Sequence, residues 1–253
     1  MSGKGGTPGA NGGKHEAADF AVPRSVAVIM DGNGRWARSA GFERIRGHEK
    51  GTDSVRTTVT ECARLGVEAL TLYAFSEENW SRPAREVNLL MGLLQRFLVD
   101  ERPTLMQHNV RLLHSGRRER LPAKVLGLLD ETMALTNGNT GMRLCLAISY
   151  GGRQELADAM RSLARDVKRG AIDPEEVDEQ AIAARLYQPT LPDPDLLIRT
   201  AGELRVSNFL LWQISYAEIH VSQVCWPDFG KEQLHEAFRD YSRRTRKFGK
   251  VHG

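Results

Sequence analysis

The chain has 253 residues, 41% of them hydrophobic and 26% charged, an ordinary globular balance that can bury a core without disulfides. Its 35 basic and 32 acidic residues leave a net charge of +3, which singles out no polyanionic partner. Cys62, Cys145 and Cys225 are widely spaced and form no C-x-x-C pair, which disfavours a disulfide framework or cysteine zinc site and fits a reducing, cytoplasmic setting.

Residues 1–21 are Gly-rich, lack the apolar stretch of a secretory signal, and read as a disordered tail ahead of one domain over residues 22–253. No apolar run is long enough to predict a transmembrane helix. Ser25–Met30 is β-branched and apolar and predicts a strand. His48–Leu65 predicts a helix, with Val55, Val59, Cys62 and Leu65 at three- and four-residue steps and Gly66 placed to stop it. Ala69–Phe75 is a second strand. Pro83 opens a long helix predicted over Ala84–Gln107. Val110–His114 then reads as a strand, Arg117–Leu135 as a helix, Met142–Tyr150 as a strand and Gln154–Arg169 as a helix. Asp195–Arg199 and Ala217–Val221 are the last strands, before a basic helix from Lys231 to about Lys247. This alternation predicts an α/β fold: a mostly parallel central sheet flanked by helices.

In such sheets ligands bind beyond the carboxyl ends of the strands. The first strand runs into Asp31-Gly32-Asn33-Gly34-Arg35-Trp36. The two glycines let backbone N–H groups face a ligand, and Arg35 adds a permanent charge, so the stretch suits a phosphate. Asp31 would repel that phosphate unless a Mg²⁺ bridged the two. A plain strand-to-helix turn with Asp31 as N-cap fits the same letters. Gly32-x-Gly34-x-x-Ala37 also matches the dinucleotide fingerprint, but the next strand ends more than 40 residues on, too far for a tight βαβ unit, and Gly41 and Gly47 interrupt the intervening helix. No phosphate-binding G-x-x-x-x-G-K-[ST] loop occurs.

The second strand is followed by Ser76, Glu77, Glu78, Asn79, Trp80 and Arg82, more polar chemistry than a turn needs, although a loop with a cap at Ser81 would also suit. Arg199, Arg205 and Ser207 follow a later strand and suit a bidentate diphosphate clamp. Arg44, Arg46 and His48 add donors. Glu218 is an acid in an apolar segment and is a second carboxylate for Mg²⁺. Helix 84–107 carries a face of Val87, Leu89, Leu90, Met91, Leu93, Leu94, Phe97 and Leu98, wide enough for either a deeply buried core helix or the wall of a hydrocarbon channel. Within a channel, Leu94, Leu98, Met142 and Leu144 are the candidates for closing its end. The near-neutral charge and the lack of a continuous basic stripe disfavour nucleic-acid binding.

Four stretches, VAVIMDGNGRWA, LTLYAFSEENWSRP, NTGMRLCLAISYGGR and DLLIRTAGELRVSNFLLWQISYAEIHV, together resemble the cis-prenyltransferases of the undecaprenyl diphosphate synthase type. The resemblance spans about residues 26–229. It implies a homodimer that condenses isopentenyl diphosphate with an allylic diphosphate such as farnesyl diphosphate, touching membrane only through its lipid product. It implies that Asp31 is the essential Mg²⁺ ligand and Glu218 a second one. Gly32, Asn33, Gly34, Arg35, Arg44 and His48 match the allylic diphosphate site. Trp36, Ser76, Glu77, Glu78, Trp80 and Arg82 match the substrate pocket, and Asn79 matches a proton acceptor. Arg199, Arg205, Val206 and Ser207 match the isopentenyl diphosphate clamp. The chain departs from the usual pattern at Ala201-Gly202-Glu203, where relatives have Gly or Ser first, and at Leu204, where some carry a metal-linked His.

Overall fold

The computed structural model describes residues 19–245. Six strands form one all-parallel sheet: β1 (Ser25–Ile29), β2 (Ala69–Ser76), β3 (Arg111–Ser115), β4 (Arg143–Tyr150), β5 (Leu196–Arg199) and β6 (Glu218–Val221), in the order β3-β4-β2-β1-β5-β6. Eight helices accompany them among the described residues: α1 (Asn33–Ser39), α2 (Arg44–Leu65), α3 (Ala84–Asp100), α4 (Arg102–Gln107), α5 (Ala123–Thr136), α6 (Gly152–Lys168), α7 (Glu179–Ala183) and α8 (Lys231–Ser242). The α/β expectation holds. Alternation along β1 sends Val26 and Val28 into a large core shared with α2, α3, α5 and α8, and Ala27 and Ile29 into a smaller one with Tyr150, Leu197, Phe209 and Leu210. With both faces covered, all five β1 residues are buried. Phe20, at the start of the described chain, packs on His235 and Phe238. The glycine-rich tail expected over 1–21 falls largely on residues outside the described ones, as does the end of the final helix near Lys247.

Two helix expectations change. Helix 84–107 is broken at Glu101 into α3 and α4, because Pro103 has no N–H to donate back to the Val99 carbonyl and its ring crowds that preceding turn. Gly47 interrupts nothing: α2 already begins at Arg44. Gly47 and Gly51 lie one turn apart and let α1 approach closely. A Cβ on Gly47 would stand 1.9 Å from the Asn33 carbonyl oxygen, and one on Gly51 2.6 Å from Asn33 Oδ1. Gly41 does end α1, with φ +73. No described helix is long and apolar enough to cross a membrane.

Because every strand runs the same way, their carboxyl ends share one edge. The β1 end lies beside that of β5, since Ile29 pairs with Arg199.

Candidate active site

Asp31 sits just past β1 and is held by backbone. Its N–H donates to Thr200 Oγ1 at 2.9 Å, and Thr200 Oγ1 donates back to the Asp31 carbonyl at 2.7 Å. Gly32 then turns the chain at φ +97. A Cβ there would lie 2.8 Å from Ala201 Cβ and 2.9 Å from both Cys225 Cβ and Sγ, so conformation and space both demand glycine. The Gly32 N–H donates to Asp31 Oδ1 at 2.7 Å. Trp36 N–H makes the first helical bond, to the Gly32 carbonyl, which leaves the N–H groups of Asn33, Gly34 and Arg35 without intrahelical acceptors.

Three guanidiniums converge on the Asp31 carboxylate. Arg199 Nη2 donates to Oδ2 at 2.8 Å, Arg205 Nη2 lies 3.5 Å from the same oxygen, and Arg35 Nη2 is 4.0 Å from Oδ1. Burial by itself raises the Asp31 pKa, but the Arg199 hydrogen bond, the Gly32 N–H and the charges of Arg199 and Arg35 outweigh it and hold the carboxyl below its ordinary value. Arg199 is 4% exposed, its Nη1 donates to Ser207 Oγ at 2.7 Å and to the Arg205 carbonyl, and its Nε is buried without a partner. A buried arginine holding one acid and carrying a spare donor is poised for a further anion. Arg35 also donates to the Ala201 carbonyl at 2.8 Å and to Glu203 at 2.6 Å, and Arg205 donates to Glu203 as well. Val206 packs against the smaller core beside them.

A cavity of about 190 Å³ opens beside this cluster. Met30 and Asn33, which flank Asp31 and Gly32 in the chain, line it, with His48, Asn79 and Arg82 as further polar lining. Much of its wall is apolar: Leu90, Leu93, Leu94 and Phe97 of α3 line it together with Leu72 and Leu146 of the sheet. Burial, then the charges of Arg82 and Arg44, push the His48 pKa down to about 4, so its ring is neutral at pH 7. His48 Nε2 and Asn33 Oδ1 are both buried without partners. Arg44 closes over Gly34 and pairs with Glu86 at 3.3 Å, and Arg82 reaches the same acid at 3.0 Å.

The residues after β2 mostly build their own loop. Ser76 and Asn79 cap each other: Asn79 N–H donates to Ser76 Oγ at 3.2 Å, and Ser76 N–H to Asn79 Oδ1 at 3.1 Å. The acceptor atom expected of Asn79 is therefore already engaged. Glu77 accepts from Ser149 Oγ at 3.1 Å and from Arg120, whose guanidinium lies 4.9 Å over the Trp80 ring. Trp80 donates to Ser149 Oγ at 2.9 Å and stands edge-on to Phe75, and Glu78 accepts from Asn208. Trp36 donates to Asp228 at 2.9 Å and does not line the cavity.

Glu218 is not brought to Asp31 within one chain. It pairs with Leu196 in the β5–β6 register, three residues before the level of Arg199, roughly 10 Å along the strand. Its carboxylate accepts from Arg244 at 2.9 Å. Among the described residues no group of three or more His, Cys, Asp or Glu is placed to hold a metal. The donor set around Asp31 fits Mg²⁺ only as one carboxylate completing a shell of substrate oxygens and water, the usual habit of that ion. Sequence reasoning gave no site role to Thr200, Arg120 or Glu203. Thr200 and Glu203 stand beside residues already singled out, whereas nothing local marked Arg120.

Residues 29–249 match the family model described as "Putative undecaprenyl diphosphate synthase". The isoprenyl transferase of Geobacter sulfurreducens is 48% identical over 230 residues, 91% of this chain and 94% of that protein. A lavandulyl diphosphate synthase from Lavandula x intermedia, solved in complex with dimethylallyl diphosphate, superposes with a TM-score of 0.88 at 34% identity, covering 90% of this chain and 98% of the other. A "probable undecaprenyl diphosphate synthase" from Campylobacter jejuni gives a TM-score of 0.75 at 32% identity, covering 91% and 100%.

Proposed function

The chain belongs to the undecaprenyl diphosphate synthase family of isoprenyl transferases, and from that membership we propose that it condenses isopentenyl diphosphate with an allylic diphosphate such as farnesyl diphosphate, extending a Z-polyprenyl diphosphate of the undecaprenyl type. One observation carries this: a cluster of three arginines around Asp31 adjoins, through Met30 and Asn33, a largely apolar cavity. That pairs a place for diphosphates with a place for a hydrocarbon.

The chemistry follows from charge. The allylic C–O bond breaks with its electron pair leaving on the diphosphate, which requires that the growing negative charge be met. Arg35 and the free N–H groups of Asn33 and Gly34 meet it on the allylic side, while Arg199, Arg205 and Ser207 hold the second diphosphate. Mg²⁺, held by Asp31 together with diphosphate oxygens, would neutralise further charge. The alkene of isopentenyl diphosphate then attacks the allylic carbon, forming the new C–C bond, and a proton leaves from the adjacent carbon. Asn79 holds the Ser76 loop in place, and the proton passes to a diphosphate oxygen or an ordered water. The apolar wall keeps bulk water from the allylic cation.

Within one chain Glu218 ties β6 to Arg244, just beyond α8, and stands apart from Asp31. A homodimer is consistent with the open edge of β6, where Ile219 is 40% and nearby Tyr216 74% exposed. Incubation with labelled isopentenyl diphosphate, Mg²⁺ and allylic diphosphates of several lengths, followed by product analysis, tests the reading. Z-polyprenyl diphosphates are expected, and the absence of any condensation product with every starter refutes it.

A further inference from the structure

One acid in this site has no part in the reaction just described. Glu203 accepts from Arg35 Nη2 on Oε1 at 2.6 Å and from Arg205 Nη1 on Oε2. Arg35 belongs to α1 and Arg205 to the loop after β5, so a single carboxylate joins the two arms of the site. Asp31 lies 4.0 Å from the same Arg35 nitrogen and 3.5 Å from Arg205. The four side chains close a ring of alternating charge: Arg35, Glu203, Arg205, Asp31.

The position of Glu203 is imposed by backbone. Ala201 and Gly202 are both left-handed, with φ of 68 and 71. Their N–H groups donate to the Val224 carbonyl at 2.8 Å and the Ser222 carbonyl at 2.9 Å. A Cβ on Gly202 would lie 2.7 Å from Gln223 Oε1. This tight turn presents Glu203 between the two guanidiniums. Arg205 and Arg35 hold its carboxyl below its ordinary pKa, so it is ionised at neutral pH.

A diphosphate that takes Arg35 brings several negative charges against the Glu203 carboxylate and displaces it. Because that one carboxylate also occupies Arg205, its departure releases the second arginine before the second substrate arrives. We propose that Glu203 is a positioning residue that couples the two diphosphate sites, so that filling either one raises the affinity of the other. The proposal rests on the two-diphosphate function above. Thermodynamic reciprocity requires the same factor in both directions.

Calorimetric titration tests it, with isopentenyl diphosphate as one probe and, as the other, an allylic thiodiphosphate whose C–S bond does not ionise. In the wild type, saturation with either probe is expected to tighten the other about five-fold or more, the lower end of usual site–site coupling. Glu203→Gln keeps the shape without the charge. Each probe alone should then bind more tightly than to wild type, and the coupling factor should fall toward one. Glu203→Asp keeps the charge but is one methylene too short to span both arginines, and it should lose the coupling as well. Circular dichroism melts matching wild type would show both variants folded. Equal coupling in wild type and both variants, or independent binding of the two probes in wild type, would overturn the coupling while leaving the two-diphosphate function standing. Failure of wild type to bind either probe would overturn both.

Discussion

Replacing Gly32 by Ala strikes conformation and packing at once. Its φ of +97 puts a Cβ in the left-handed region, which costs about 1–2 kcal/mol for an L-residue. That Cβ would also stand 2.8 Å from Ala201 Cβ and 2.9 Å from Cys225 Sγ, well inside contact distance. Overpacking of this kind costs about 1–3 kcal/mol. The sum, about 2–5 kcal/mol, is a large share of ordinary folding stability and should lower Tm by roughly 5–20 °C. Gly32 also shapes the loop that holds Asp31 and Arg35, so turnover should fall further than stability. Thermal melts by circular dichroism and a labelled-substrate condensation assay read the two effects. Ala201→Gly supplies the control, because it removes one of the clashing carbons and Ala201's own left-handed φ of 68. Combined with Gly32→Ala it should restore part of the lost Tm, with an interaction energy of about 0.5–3 kcal/mol in the double-mutant cycle. A Gly32→Ala protein that melts within a degree or two of wild type and turns over normally would refute the reasoning, as would strict additivity in the cycle.

Asp31→Ala should abolish condensation, and it should also destabilise the fold by about 1–3 kcal/mol, since the buried Arg199 loses a charged hydrogen bond; an unchanged Tm would show that Ser207 and the Arg205 carbonyl suffice for Arg199. Leu94→Trp should shorten the polyprenyl products and Phe97→Ala should lengthen or broaden them, because both side chains line the cavity; chromatography of the products checks this, and an unchanged distribution in both would move the tail elsewhere. Leu144→Ala should cost about 2–5 kcal/mol without shifting product length, because Leu144 is fully buried and lies off the cavity. Glu61 accepts from Arg64 at 2.6 Å and from His235 at 2.7 Å, and it pairs with Lys231 at 3.0 Å. Led by the Arg64 hydrogen bond, these partners lower its pKa from 4.5 to about 2. A depressed carboxylate contributes stability that is complete above its unfolded pKa and lost as pH falls, so Glu61→Gln should flatten the pH dependence of Tm between about 4.5 and about 2; an identical slope would show that the docking of α8 does not rest on this charge.

The order of elements, the parallel sheet and the strand ends that hold the site were legible in the sequence, because each depends on local pattern. The β1 run of SVAVI is short, β-branched and followed by a glycine turn, which marks a strand buried on both faces. Asp31, Arg35, Arg199, Arg205 and Ser207 were identifiable because they lie at or within eight residues of the carboxyl ends of apolar strands. The break between α3 and α4 was legible too, at Pro103, but the long apolar face of helix 84–107 masked it.

Other features depend on what meets what, and periodicity is silent about that. Leu94 lines the cavity, while Leu98, Met142 and Leu144, equally apolar and equally periodic, are spent in the core. The family resemblance offered Asn79 as a proton acceptor, and in the structure its oxygen caps Ser76. Asp31 and Glu218 read as two carboxylates of one metal site, since one follows a strand beside a glycine turn and the other is an acid in an apolar segment. Within one chain the parallel register keeps them apart: Asp31 follows the carboxyl end of β1, and Glu218 begins β6 at the opposite end of the sheet. A sequence records which side chains lie near a strand end. Only the register between strands, which is set by hydrogen bonds across chain segments far apart, determines which of those ends meet.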